Sequence, residues 1–524
     1  MSSSSIPGEL ASALESLAAA AESVAAPMAA AALRSTSLGR ERAILRLIGV
    51  EGVDREGRPL AAEVVDRYVG GNLNRLAGGV GLPFAVALLE YDSSPQALAL
   101  DVAAGRVDLA LEAALLARED RREAASRHLE RLFGAAMERI DANRTARHEL
   151  LEVLGDEPAP WIGAVLGGGA VDIALAEAQR LARVGVGFVG VAVPAGRELA
   201  TRLIERGQDV AWRPRPAEPS EDSTPVGSQR GLARLRAALD EAAAERGAYV
   251  RLGITPTALA TPESAVVAGF ERVDLIDLDP LTEVVVTGVD PDRALADFVF
   301  AARMADRAGV AIQIGAGPLT VAPDLDAGVN SDPATRSGRA LALQLVAVAI
   351  ARGAGIEASR LLVGALPAWI AGESHPAARA VAEVALRRRL LPESRLAFVE
   401  PPLDETARWP AILAAVLPGD GVGLILKRAA NDGEFVETAR AGRAAAVVAR
   451  ELDSALSVPV LRGVARDHAA AAIDAAVRLL ELISLDGWRA VTGSMSGGWG
   501  HLGADSVAPM AGPSSPDPLD RALG

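Results

Sequence analysis

The sequence predicts an α/β fold: a (β/α)8 TIM barrel with an N-terminal all-helical region and a C-terminal helical extension. Three observations carry this. Short apolar runs recur eight times between Trp161 and Leu426, each followed by a stretch with helical spacing. Half of the residues are hydrophobic but only 3% are aromatic, so the core is built from Ala, Val and Leu, as in parallel strands covered by helices. Polar residues gather where several runs end, and a barrel carries its chemistry at the C-terminal ends of its strands.

Residues 1–156 are read as the N-terminal helical region. Gly8 to Ala32 is Ala-rich with Leu and Glu at helical spacing, a helix or helix pair. A helix then ends at Gly49, and the charges from Arg118 to Arg131 alternate in sign, as on a solvated helix face. Residues 157–457 form the barrel, with strands expected at Trp161–Leu166, Phe188–Val193, Tyr249–Ile254, Asp274–Leu278, Val310–Ile314, Arg360–Leu366, Arg395–Val399 and Val422–Leu426. The stretch from Tyr249 to Asp279 shows the repeating unit: a strand, a helix with Thr261 as N-cap and Pro262 in its first turn, and a second strand. A Pro-rich segment, Arg213–Ser228, and a long loop, Gly315–Ser337, fall where a barrel's active-site loops lie. Residues 458–491 add a short strand and a helix. Residues 492–524 are a Gly/Ser/Pro-rich tail of disordered composition, in which Trp499 and His501 could dock on a partner.

Composition narrows the function classes. A net charge of -15 argues against nonspecific nucleic-acid binding, which needs basic surface to displace counterions. The absence of Cys removes thiolate ligands and nucleophiles. No run is long and apolar enough for a membrane span, and MSSSSIPGEL lacks the order of a signal peptide, so a cytoplasmic protein is expected.

The expected strand ends offer Asp277 and Asp279, Gln313, Glu400, and the pair Lys427-Arg428. Asp277 and Asp279 are two apart, on one face of a strand, where paired carboxylates hold Mg²⁺, share acid/base work, or cap the following helix. Lys427 is the sole lysine; as a desolvated amine it would be a nucleophile toward carbonyls, unless Arg428 is the inward residue. The Gly-rich Leu166–Ala174 matches neither GxGxxG nor a Walker pattern, and the five histidines show no metal-ligand spacing and are read as surface or capping residues. No metal site is expected.

Three phrases carry a family resemblance: ERAILRLIGVEGVDREGRPLAAEVVD (Glu41–Asp66), YVRLGITPTALATPESAVVAGFERVD (Tyr249–Asp274) and LAFVEPP (Leu396–Pro402). They resemble the alpha subunit of lysine 5,6-aminomutase and its ornithine 4,5-aminomutase relative, collinearly from about Arg40 to Trp488. The resemblance implies a radical isomerase that shifts a terminal amino group of an amino-acid substrate, using pyridoxal phosphate and adenosylcobalamin. It also implies a hetero-oligomer, because the cobalamin-binding DxHxxG motif belongs to a beta-type partner; here the nearest phrase is Asp467-His468, without the glycine. Carried over by position, the family's cofactor-binding arginine and serine after the second strand fall on Val193 and Glu198. The serine after the third strand falls on Thr257, the stacking tyrosine on Thr282 and the second phosphate-binding arginine on Thr287. An acidic residue falls near Gly317 and a substrate-region lysine near Ala397. Loss of two arginines removes charge-assisted contacts worth roughly 1.5–3 kcal/mol each. The alternative is therefore a noncatalytic relative that keeps the barrel and the partner interface but not pyridoxal phosphate.

Overall fold

The structure, a computed structural model, describes residues 8–52, 59–156, 161–166, 171–193, 228–256, 260–282, 284, 289–315, 332–364, 375–399, 422–428, 459–487, 506–511 and 518–523. Its strands are β1 (Ser35–Ser37), β2 (Trp161–Leu166), β3 (Phe188–Val193), β4 (Arg251–Pro256), β5 (Leu275–Asp277), β6 (Ala311–Ile314), β7 (Leu361–Gly364), β8 (Arg395–Val399), β9 (Val422–Arg428) and β10 (Val507–Pro509). Strands β2 to β9 pair in sequence order, all parallel, and β9 pairs back onto β2 to close the barrel. All eight expected strands are present, with ends shifted by a few residues: β4 runs to Pro256, and β9 to Arg428.

Period-two alternation sorts each strand into two sets. The helix-facing set, including Val189, Val191, Leu252, Ile254, Ile276, Ile312, Ile314 and Val363, joins the main apolar core under the helices. In the lumen, Trp161, Phe188, Leu275, Leu362 and Ala397 form a separate cluster. The Phe188 ring lies across β4 so closely that a Cβ on Gly253 would stand 2.1 Å from its Cζ. Only glycine lets that ring cross the lumen.

Side-chain caps start the covering helices. Ser228, Asp290 and Asp332 accept from first-turn amides of Gln229–Arg246, Pro291–Arg307 and Pro333–Gly353, each cap worth about 1 kcal/mol. The long helix Glu119–Leu154 reaches the N-terminal face of the barrel, where Arg147 donates to the carbonyls of Ala308, Gly309 and Val273. Its charged first turns carry the exposed pairs Arg118–Asp120, Arg122–Glu119 and Arg127–Glu123, the solvated face expected from the alternating charges.

Several local expectations are resolved or corrected. Gly8–Ala32 is one helix that passes through Pro27. The N-terminal region is not purely helical, because β1 pairs antiparallel with β10, some 470 residues downstream. That strand, and the helix Pro518–Leu523 packed on Glu119–Leu154, come from the tail whose composition reads as disordered. Residues from Pro459 to Asp486 form a single helix, so Pro459 to Leu461, expected in a short strand, are helical; Pro-Val-Leu fits a helical first turn as well as a strand. Thr261 is already helical; Ala260 is the N-cap and makes no side-chain cap bond. No described helix is long and apolar enough to cross a membrane.

Candidate functional site at the barrel mouth

At its N-terminal end the lumen is plugged by cations on an aromatic ring. The Arg251 guanidinium lies 3.7 Å from the centroid of Trp161, and Arg395 approaches the same ring at 5.4 Å. Arg251 is buried and also pairs with Asp156. Above this floor sits the Phe188, Leu275, Leu362 and Ala397 layer. Above Leu275 on β5 comes Asp277, and above Ala311 on β6 comes Gln313; the register pairs these two.

Asp277 and Gln313 therefore stand side by side on the lumen face, on strands about 4.8 Å apart. Gln313 is buried, and its Oε1 has no hydrogen-bond partner; neither has Asp277 Oδ1, which is closed off from water. Burial, with Asp279 adding like charge, pushes the Asp277 carboxyl up to about 7. Buried polar atoms are nearly always satisfied, so two adjacent orphaned acceptors mark the place where a donor is wanted. Among the described residues no group of three His, Cys, Asp or Glu side chains could hold a metal.

Next to this pair the ends of β6 and β7 are pinned. Gln344, from helix Pro333–Gly353, donates through Nε2 to the carbonyls of Gly315 and Gly364 at 3.0 and 2.9 Å. Its Oε1 accepts from Arg387, which also donates to Glu383 at 2.5 Å. His468, from helix Pro459–Asp486, sits 2.7 Å from Glu383 through Nε2, while Arg379 donates to its Nδ1 at 3.0 Å. Because arginine only donates, Nδ1 accepts and Nε2 carries the proton toward Glu383. Burial alone would raise the Glu383 carboxyl, but the Arg387 charge and the His468 and Ser337 hydrogen bonds hold it down to about 2. His468 is thus no surface histidine, and Gln344, Glu383 and Arg387 were not singled out from the sequence. Their partners lie up to 85 residues away, a separation no local pattern reveals.

The other candidates divide as follows. Lys427 and Arg428 end β9, paired in register with Ala164 and Val165 of β2. Val193 ends β3 opposite Pro256. Thr282 closes the short helix Pro280–Thr282, and Ala397 is buried in the lumen floor. Asp279 follows β5 by two residues. Glu198, Thr257, Thr287, Gly317, Glu400, Trp499 and His501 lie outside the described residues.

Fold and site together define a (β/α)8-barrel protein that carries two buried, unsatisfied acceptors at the C-terminal ends of β5 and β6, with a helical N-terminal region docked on the barrel. Residues 11–406 match the family model described as the D-lysine 5,6-aminomutase TIM-barrel domain of alpha subunit, and the chain belongs to that family. Two curated relatives, both lysine 5,6-aminomutase alpha subunits, agree. The one from Acetoanaerobium sticklandii is 28% identical over 282 residues, 54% of this chain and 51% of that protein. The one from Fusobacterium nucleatum is 26% identical over 368 residues, 69% of this chain and 65% of that protein. The aligned region thus spans between about half and two thirds of the length of these relatives.

Proposed function

We propose that the chain is the alpha-type subunit of a lysine 5,6-aminomutase-like isomerase, closing a barrel chamber around a basic amino acid while a cobalamin-binding partner chain completes the site. The observation that carries this reading is the alpha-subunit family match over residues 11–406 on a chain whose eight strands close. In such an assembly pyridoxal phosphate would stabilise the migrating amine and adenosylcobalamin would supply the radical, the protein contributing orientation and exclusion of water. The reading places the complex in the cytoplasm.

A phosphate dianion needs cations or N–H donors at the barrel mouth. The described mouth residues of β5 and β6, Asp277 and Gln313, bring no cation, and Arg251 and Arg395 lie at the opposite end. The described residues do not fit the phosphate. That mismatch, with Val193, Thr282 and Thr287 at positions where the family places cofactor-binding side chains, favours a second reading: a noncatalytic relative that keeps the barrel and partner interface.

Co-expression with a DxHxxG-bearing chain, followed by addition of both cofactors, separates the two. Visible absorbance from bound pyridoxal phosphate and amine migration in lysine or ornithine, read by NMR, would support the isomerase. A stable complex with neither would leave the noncatalytic reading standing and sink the first.

A further inference from the structure

We infer that Asp277 and Gln313 form a recognition site for a protonated primary amine, an alkylammonium head, inside the barrel at its C-terminal end. Asp277 is the last residue of β5 and Gln313 the third of β6, paired in register and carried on the lumen face above Leu275 and Ala311. Oδ1 of Asp277 and Oε1 of Gln313 are both buried and accept nothing. A group that satisfies both must bring at least two N–H or O–H bonds and, beside a carboxylate, a positive charge.

Tetrahedral geometry favours the ammonium. Diverging N–H bonds of one nitrogen reach acceptors about 4.6 Å apart, close to the ~4.8 Å between neighbouring strands. A guanidinium fork instead suits the two oxygens of a single carboxylate. Hard divalent cations want six or more oxygens, and among the described residues no group of three candidate ligands assembles.

Among the described side chains the surrounding charge has the matching sign. Asp279 stands two residues beyond Asp277. The lumen cations Arg251 and Arg395 are the first residues of β4 and β8, held over Trp161 at the far end. Arg428 ends β9 at the same face as Asp277, paired in register with Val165. With Asp277 pushed up to about 7, an arriving cation favours the ionised carboxylate and releases a fraction of a proton near neutrality.

The inference rests on the proposed function only in taking the lumen as the substrate chamber, so its test omits cofactor and partner. The purified full chain is titrated calorimetrically with n-pentylammonium at pH 7, in two buffers of different ionisation enthalpy, with 1-pentanol, pentanoate and Mg²⁺ as comparisons. The amine alone binds, the apparent enthalpy differs between buffers in the sense of proton release, and Asp277→Asn weakens binding roughly tenfold or more. Gln313→Leu weakens it several-fold and keeps the buffer dependence. The idea is overturned by absence of amine binding to the wild type, which would leave an ordered water as the occupant. Undiminished binding by a folded Asp277→Asn, equal binding of the alcohol, or preference for Mg²⁺ overturns it too. Should Asp277→Asn fail to fold, the buffer dependence and Gln313→Leu decide. Amine binding without cofactor retention would sink the isomerase reading alone; turnover without amine binding would sink this one alone.

Discussion

Asp274 stands at the N-terminal face of the barrel, just before β5, and Asp277 ends the same strand at the opposite face. Asp274 is fully engaged. Its Oδ2 accepts from Leu252 N at 2.7 Å and Arg236 at 3.1 Å, its Oδ1 from the Tyr249 hydroxyl at 2.9 Å, and Arg147 approaches at 3.2 Å. Asp277 Oδ1 is equally hidden from water and has no such partner. Two carboxylates three residues apart thus set the ends of one strand against each other: the N-terminal one holds elements together, and the C-terminal one keeps a buried acceptor without a partner, at the end where barrels carry their chemistry.

Breaking the satisfied carboxylate gives the largest effect. Asp274→Ala takes a buried counter-charge from Arg147 and Arg236 and leaves the Tyr249 hydroxyl and Leu252 N without their acceptor, and removing one partner of such a network costs about 3–5 kcal/mol. Urea unfolding should show the midpoint falling sharply, to the point where the purified variant is largely unfolded; an unchanged midpoint would dissolve the contrast between the faces.

The C-terminal face is not uniformly open, and Glu383 sharpens that point. Its network holds the carbonyls of Gly315 and Gly364, the points from which the chain leaves β6 and β7. Glu383→Gln leaves Arg387 buried without its counter-charge and is expected to cost about 3 kcal/mol at pH 7. The wild-type carboxyl is held at about 2 against an ordinary 4.5, so its contribution is full above 4.5 and fades as pH falls toward 2. Wild type and variant should therefore converge in stability as the solution is acidified, a trend that thermal unfolding across pH would read.

A steric test of the lumen ranks third. Gly253→Ala drives a methyl group into the Phe188 ring, and overpacking of a filled interior costs typically 1–3 kcal/mol. A double variant with Phe188→Leu should recover part of the loss if the ring is the obstacle. Failure of that rescue would place the strain elsewhere.

Much of this architecture is legible before any coordinates. Eight aliphatic runs and their spacing yield the barrel order, because parallel strands buried on both faces have no polar alternation to blur them. The family phrase Glu41–Asp66 is legible too, and its residues prove to be scaffold. Glu41 accepts from Val80 N and the Thr36 hydroxyl, Arg42 pairs with Asp66, and Arg46 reaches Glu263 on helix Thr261–Phe270. A recognisable motif here reports how the N-terminal region docks on the barrel. What stays illegible is made by long-range pairing. The β1–β10 ribbon, the His468–Glu383 contact and the partnering of Asp277 by Gln313 depend on which distant segments meet, and no periodicity within one segment encodes that. Asp277 is visible as a candidate from its strand end; that Gln313 faces it follows only from the register.

The smallest expected effect runs opposite in sign. Asp277→Asn removes a buried carboxylate that has no partner on Oδ1, keeps the shape, and should stabilise the ligand-free chain by about 1 kcal/mol above neutral pH, discounted for the partial exposure of the residue. The pH dependence fixes the cause. The Asp277 carboxyl sits at about 7 when folded against 3.8 unfolded, so the folded state holds this proton more tightly and wild-type stability falls as pH rises from about 4 to 7. Below 3.8 both states are protonated and the variant has no advantage; above 7 the advantage is complete. Thermal melts of the pair at pH 4, 6 and 8 should show the gap opening with pH. A gap of constant size would mean that the substitution acts through packing, and a destabilised variant at pH 8 would mean that the carboxylate already has its counter-charge.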